Sequence, residues 1–238
     1  MFIGRFALLL FFSLFLHKNI FAQESIPLKR SARPSVGLVF SGGGAKGFAY
    51  VGLLKVFQEA GLPIDYIGGS SIGSIVGGLY ALGYHPDSIA KMIRSQKWDD
   101  LLKDKTERKY IAYEEKEYGE KTIISLPVKK KKLSVSSSMY QGQEIDLLLN
   151  YYFSPAYRIH DFNKLPTPFL CIGTDLFTGE EVVLNKGYLP MAIRASMSIP
   201  GYFSPVDYMG KYLVDGGVVN NYPAREVREM GAKIIVGG

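Results

Sequence analysis

The chain has 238 residues, 47% of them hydrophobic, which is enough to bury a sizeable core in one large α/β domain or two small ones. Its 28 Lys and Arg against 22 Asp and Glu give a formal charge of +6, a mild bias toward anionic surfaces that assigns no nucleic-acid partner. Cys171 is the single cysteine, so an intrachain disulfide and a Cys-based zinc site are excluded, and stability has to come from the core.

Residues 1–22 stand apart. Arg5 gives a positive start, residues 7–16 form an apolar run, and Ala22 is a small residue before a cut at Gln23. This pattern predicts a cleavable signal peptide and an exported protein, periplasmic, outer-membrane-associated or extracellular. The run is well below the roughly 20 residues of a spanning helix. Residues 23–35 read as a polar linker, and the domain is expected to occupy 36–238.

Val36–Phe40 is a short apolar run of the kind that forms a fully buried strand. The glycine-rich Ser41-Gly42-Gly43-Gly44-Ala45-Lys46-Gly47 follows, then a helix over 48–60 ended by Gly61 and Pro63. A second strand is expected at 64–68 and a second helix at 72–82, stopped by Gly83. Strands alternating with helices predict a parallel sheet. A short amphipathic helix over 88–95 would take Asp87 as its N-cap.

Residues 97–140 turn charged and polar around one strand candidate at 122–128, and read as a lid or insertion. A helix over 144–152, strands at 168–174 and 181–184, and a helix over 189–197 come next. A hairpin over 206–214 turns at Met209-Gly210, Pro223 opens a helix at its first position, and 233–236 starts another strand. The sequence stops there, so the domain is expected to be truncated at its C-terminal end.

Gly69-Ser70-Ser71-Ile72-Gly73 lies between a strand and a helix, where Gly-x-Ser-x-Gly forces a sharp turn that lifts the serine clear of the sheet. The helix N-terminus aims free N–H groups and partial positive charge at the same point. A plain Gly/Ser turn, with Ser70 or Ser71 capping the helix, is the alternative.

Gly42, Gly43 and Gly44 form a backbone nest suited to a phosphate or a tetrahedral oxyanion. The P-loop pattern fails, because Lys46 is followed by Gly47 and Phe48. Gly42, Gly44 and Gly47 satisfy the dinucleotide fingerprint, but the acid it requires could only be Asp65, early in the second strand. The oxyanion reading therefore ranks first.

A serine nucleophile needs a base, and only His85 and His160 lie after the proposed cut. Neither follows Asp175 or Asp215, so a Ser-Asp-His order would have to use His160 with an earlier acid. A two-residue device with Asp215 is the other option. Free Asp is the weaker base by roughly 2.6 pKa units, on the order of 3.5 kcal/mol, so burial would have to raise its pKa.

The Gly42-Gly43-Gly44-Ala45-Lys46-Gly47 loop, the Gly69-Ser70-Ser71-Ile72-Gly73 turn and Asp215-Gly216-Gly217 occur in that order. Together they resemble the patatin-like phospholipase family, and residues 194–203 (RASMSIPGYF) look like the segment before the aspartate motif in bacterial members. The resemblance implies a three-layer α/β/α sandwich with a mostly parallel central sheet and Ser71 as nucleophile. Asp215 would be the dyad base and the Gly42, Gly43 and Gly44 amides the oxyanion hole. Lys46, Gly47, Gly69, Gly73, Gly216 and Gly217 would support the motifs, with no metal and no cofactor. The implied substrate is a phospholipid or other acyl ester at a membrane surface. Lys129 to Lys132 could attract anionic headgroups or form a solvated hairpin turn, and Tyr151, Tyr152, Phe153, Tyr202 and Phe203 are candidates for an acyl pocket or plain core.

Overall fold

The computed structural model describes residues 33–105 and 138–238, together with the backbone of 128–129 and 132–133. The proposed signal peptide at 1–22, most of the 23–35 linker and most of the strand candidate at 122–128 lie outside the described residues. Pro34–Gly238 is one compact unit.

Its core is a seven-stranded mixed sheet in the path order β7-β8-β5-β2-β1-β9, with β6 also paired to β5. The strands are β1 (Val36–Phe40), β2 (Tyr66–Ser70), β5 (Phe169–Asp175), β6 (Glu181–Leu184), β7 (Val206–Tyr208), β8 (Lys211–Asp215) and β9 (Ile234–Gly237). β1, β2, β5 and β9 are mutually parallel, whereas β6 and β8 run against β5. A separate two-stranded ribbon pairs β3 (Val128–Lys129) with β4 (Lys132–Leu133), which places Lys129 opposite Lys132.

Side chains alternate across a strand, and β1 shows what that does here. Leu38 and Phe40 enter a large cluster with Val76 and Leu79 of α2 (Ile72–Ala81), Ile145 and Leu149 of α5 (Gln143–Tyr152), and Ile193 of α6 (Leu189–Ser196). Val39 points the other way, to Val227 of α7 (Ala224–Glu229) and Ala232. Both faces of the sheet are therefore covered, giving the three-layer sandwich. Each fully buried side chain of this kind contributes about 1.5–3 kcal/mol.

The register of β5 brings two distant segments together. Cys171 and Ile172 pair with both β2 and β6, while Gly173 and Thr174 pair with both β6 and β8. β6 thus fills one edge of β5, and β2 and β8 share the other edge, running toward each other. Ser70 pairs with Ile172 and Asp215 with Gly173, so the C-terminal ends of these two strands meet across adjacent residues.

Most boundaries shift by a residue or two from expectation, and two of the shifts have a clear cause. β2 runs Tyr66–Ser70, not 64–68, because parallel ladders on both sides hold the weak strand formers Gly68, Gly69 and Ser70 extended. The helix expected at 88–95 is α3 (Pro86–Arg94), capped by His85 Nδ1, which accepts the Asp87 N–H at 3.2 Å. Pro86 suits a first helical position because its φ is preset and it lacks an N–H, so Asp87 falls inside the helix and pairs with Lys55 instead of capping. Residues 44–49 form a 3₁₀ turn ahead of α1 (Tyr50–Glu59), and Pro223 precedes the first turn of α7.

The 97–140 segment begins with α4 (Trp98–Leu102). Asp104 then accepts the Gly142 N–H at 2.7 Å and the Glu144 N–H at 3.2 Å, where α5 begins. Its carboxylate thus satisfies two N–H groups at the start of α5 and pins the departing chain to the returning one.

Candidate active site

Ser71 sits between the end of β2 and the start of α2 at φ 52°, ψ −126°, a conformation that costs a non-glycine residue of order 1–3 kcal/mol. Packing enforces it. A Cβ on Gly73 would lie 2.3 Å from the Phe40 carbonyl oxygen, so only glycine lets the first turn of α2 press onto the end of β1. Ser71 occupies the N-cap position, yet its hydroxyl does not cap the helix.

Instead, Ser71 Oγ donates to Asp215 Oδ2 at 2.6 Å. Both residues are buried, at 8% and 6% exposure. Asp215 Oδ1 accepts the Gly217 N–H at 2.7 Å, its own N–H donates to the Ser198 carbonyl at 2.9 Å, and its carbonyl accepts from Thr174 Oγ1 at 2.8 Å. Burial raises the Asp215 carboxyl above the usual carboxylate range, and the hydrogen bonds from Ser71 and Gly217 pull it part of the way back. Gly216 lies against β5, and Gly69 and Gly73 pack against each other, so neither contact has room for a side chain.

Behind the elbow, Ser196 Oγ accepts the Ser71 N–H at 3.1 Å. Residues 196 and 198 therefore hold the backbone of both Ser71 and Asp215. Cys171 is buried in the core, and burial pushes its thiol far above the ordinary range, as suits an inert core cysteine.

The glycine loop is gripped from the far side of the motif set. Gly42 N–H donates to Asn221 Oδ1 at 2.8 Å, and Asn221 Nδ2 donates back to the Gly42 carbonyl at 3.3 Å. A Cβ on Gly42 would lie 2.6 Å from Asn221 Oδ1 and 2.9 Å from Ser71 Cβ, so the contact needs glycine. Of the three expected oxyanion donors, the Gly42 N–H is thus already taken. Among the described residues the N–H groups of Gly43 and Gly44 have no partner. Lys46 is exposed on the following turn, and Gly47 is buried against Ile72.

Ser71 opens onto an apolar cavity of about 400 Å³ whose walls include Gly44, Phe48, Ile75, Trp98, Tyr202 and Phe203. Tyr202 and Phe203 are thereby placed at the site, whereas Tyr151 is 74% exposed. Neither histidine lines this cavity: His85 caps α3 and His160 is exposed in a loop. Asp65 accepts the Val36 N–H at 2.8 Å, at the start of the strands rather than beside the glycine loop. This removes the acid that a dinucleotide site would need.

Motif reading missed Asn221 and the roles of Ser196 and Ser198. It also missed Arg194, which is 3% exposed. Its Nε pairs with Asp146 Oδ1 at 2.9 Å, Nη1 donates to Ser198 Oγ at 2.5 Å and Nη2 to the Gln141 carbonyl at 2.6 Å. The guanidinium lies 4.8 Å over the Phe203 ring. Burial lowers the Arg194 pKa and raises that of Asp146, with their mutual attraction opposing both shifts.

Comparison with known proteins places this geometry. The family profile described as Patatin-like phospholipase matches residues 38–228. The patatin-like phospholipase domain-containing protein ZK370.4 of Caenorhabditis elegans is 34% identical over 204 residues, covering 85% of this chain and 13% of that protein. Lysophospholipase NTE1 of Meyerozyma guilliermondii is 32% identical over 230 residues, covering 92% of this chain and 13% of its own length. An uncharacterized NTE family protein of Mycobacterium tuberculosis is 34% identical, with 82% of this chain and 28% of that protein aligned. The chain thus spans only a minor part of these relatives. Among solved structures, VipD from Legionella pneumophila shares the fold with a TM-score of 0.55 at 16% identity, covering 86% of this chain and 49% of VipD. The chain belongs to the patatin-like phospholipase family.

Proposed function

We propose that this chain hydrolyses acyl esters of lipids through a Ser71/Asp215 dyad. The observation that carries the proposal is the 2.6 Å bond from Ser71 Oγ to Asp215 Oδ2, formed at the wall of an apolar cavity. Relatives named as lysophospholipases support lipid as the substrate class.

Asp215 takes the Ser71 proton as Oγ attacks the ester carbonyl carbon, and the Gly43 and Gly44 N–H groups receive the oxyanion. Collapse breaks the bond to the leaving alcohol, which takes the proton from Asp215. Water then adds to the acyl-enzyme, Asp215 again accepts a proton, and the fatty acid leaves as Ser71 regains its own. One oxyanion donor is worth about 2.7–4 kcal/mol in such sites. Gly42 serves this step indirectly, by giving Asn221 a hold on the loop.

A substrate drawn from a membrane surface suits Ile199, 47% exposed on the cavity wall, and Met139, 71% exposed next to Gly201. Residues 1–22 support export as part of the same proposal.

A fluorophosphonate probe is expected to label the wild-type protein and to leave Ser71→Ala unlabelled. A folded wild type that resists labelling would favour a non-catalytic lipid- or nucleotide-binding module and sink the enzyme reading.

A further inference from the structure

A second apolar cavity adjoins the first. The Ser71 cavity and a smaller one between α2, α3 and α5 share two walls, Ile75 and Trp98. Ile75 and Leu79 lie four residues apart on one face of α2, which begins directly after Ser71, with Leu79 lining the smaller cavity. The two spaces are therefore successive along a line of about 12 Å leading from the nucleophile.

The partition is well fixed. Trp98 Nε1 donates to the Ile93 carbonyl at 2.9 Å, and the indole packs against Phe48 with ring centroids 4.9 Å apart. The far space holds about 30 Å³, room for a water or two but not for an alkyl chain. Its polar wall groups are satisfied among themselves, since Gln96 Nε2 donates to the Tyr152 hydroxyl at 2.8 Å and to the Met92 carbonyl at 3.1 Å. The surface it presents suits hydrocarbon.

We propose that the Ile75–Trp98 partition sets the upper limit of acyl-chain length, by stopping the chain esterified to Ser71 short of the α2–α3–α5 cavity. The inference rests on the esterase reading above. In the first cavity each added methylene gains about fourfold in kcat/KM, until the tail reaches the indole. Beyond that length, the tail must displace Trp98 or fold back toward solvent.

The test is kcat/KM over a series of p-nitrophenyl esters from butyrate to stearate, read within each variant as the ratio of palmitate to octanoate. Trp98→Ala is expected to raise this ratio by about tenfold or more, and Ile75→Ala to raise it in the same direction. Adding Leu148→Trp, which refills the far cavity from α5, should return the Trp98→Ala ratio toward the wild-type value. An unchanged ratio in both Trp98→Ala and Ile75→Ala, with esters still hydrolysed, would overturn the partition and leave the dyad intact. A rise that Leu148→Trp fails to reverse would overturn it as well, because the added chain would then lie elsewhere. Absence of hydrolysis of every ester by the wild type would instead count against the esterase reading.

Discussion

Replacing Asp215 by Asn removes the carboxylate that accepts the Ser71 hydrogen bond, the base of the proposed dyad, while keeping the shape of the side chain. The amide oxygen can still accept the Gly217 N–H that Oδ1 accepts at 2.7 Å, and the 2.6 Å contact with Ser71 Oγ can persist with the amide donating and the hydroxyl accepting. Geometry is thereby retained and base chemistry lost, for which about 10⁴ in kcat is a fair expectation. Stability should move the other way. Because burial raises the Asp215 pKa, the folded state holds this proton more tightly than the unfolded chain does. Stability from this group is therefore present below the unfolded pKa of about 3.9, and it is lost as pH rises through the higher folded value. The Asn variant lacks that loss, so its Tm relative to wild type should climb across this window and then level off. The same titration places the acid limb of wild-type kcat/KM above the ordinary carboxylate range. Ester hydrolysis and thermal melts measured across pH test both halves. Activity within tenfold of wild type would refute Asp215 as the base, and an Asn variant with a Tm difference that falls with rising pH would refute the burial argument.

Asn221→Ala should free the Gly42 peptide and lower kcat by about one to two orders of magnitude with little change in KM, since the loop's donors act on the transition state. Steady-state kinetics with Asn221→Asp alongside checks this, because the acid keeps the acceptor for Gly42 N–H and loses the donor to its carbonyl. Arg194→Ala strands the Gln141 carbonyl and removes the partner of Asp146, and should cost about 3 kcal/mol in denaturant unfolding. Cys171 should resist thiol reagents in the native protein and react once denaturant exposes it, as followed by absorbance with Ellman's reagent.

The three-layer fold and the positions of Ser71 and Asp215 were legible because each is written in contiguous residues. Val36–Phe40 is apolar throughout, as a strand buried on both faces must be, and the glycines around Ser71 mark a strand-to-helix turn. Local reading failed where partners are remote. β2 was expected to stop at 68, because Gly69 and Ser70 have little strand preference of their own and stay extended through ladders to β1 and β5. Asp87 was expected to cap α3, an error of two residues that Pro86 and the Asp87–Lys55 pair decide.

By itself, the sequence determined most of the elements of the sheet and its covering helices and singled out Ser71 and Asp215, since propensity, turn chemistry and hydrophobic pattern act over a few neighbours. Tertiary structure alone decided that β2 and β8 share one edge of β5, which brings Ser71 within 2.6 Å of a carboxylate 144 residues away. It also decided that Asn221 holds the Gly42 N–H, that Ser196 and Ser198 hold the backbone of Ser71 and Asp215, and that Trp98 divides two cavities. Each of these depends on strand register and helix packing across long sequence separations, where the deciding energy comes from burial and pairing that no short stretch of residues contains.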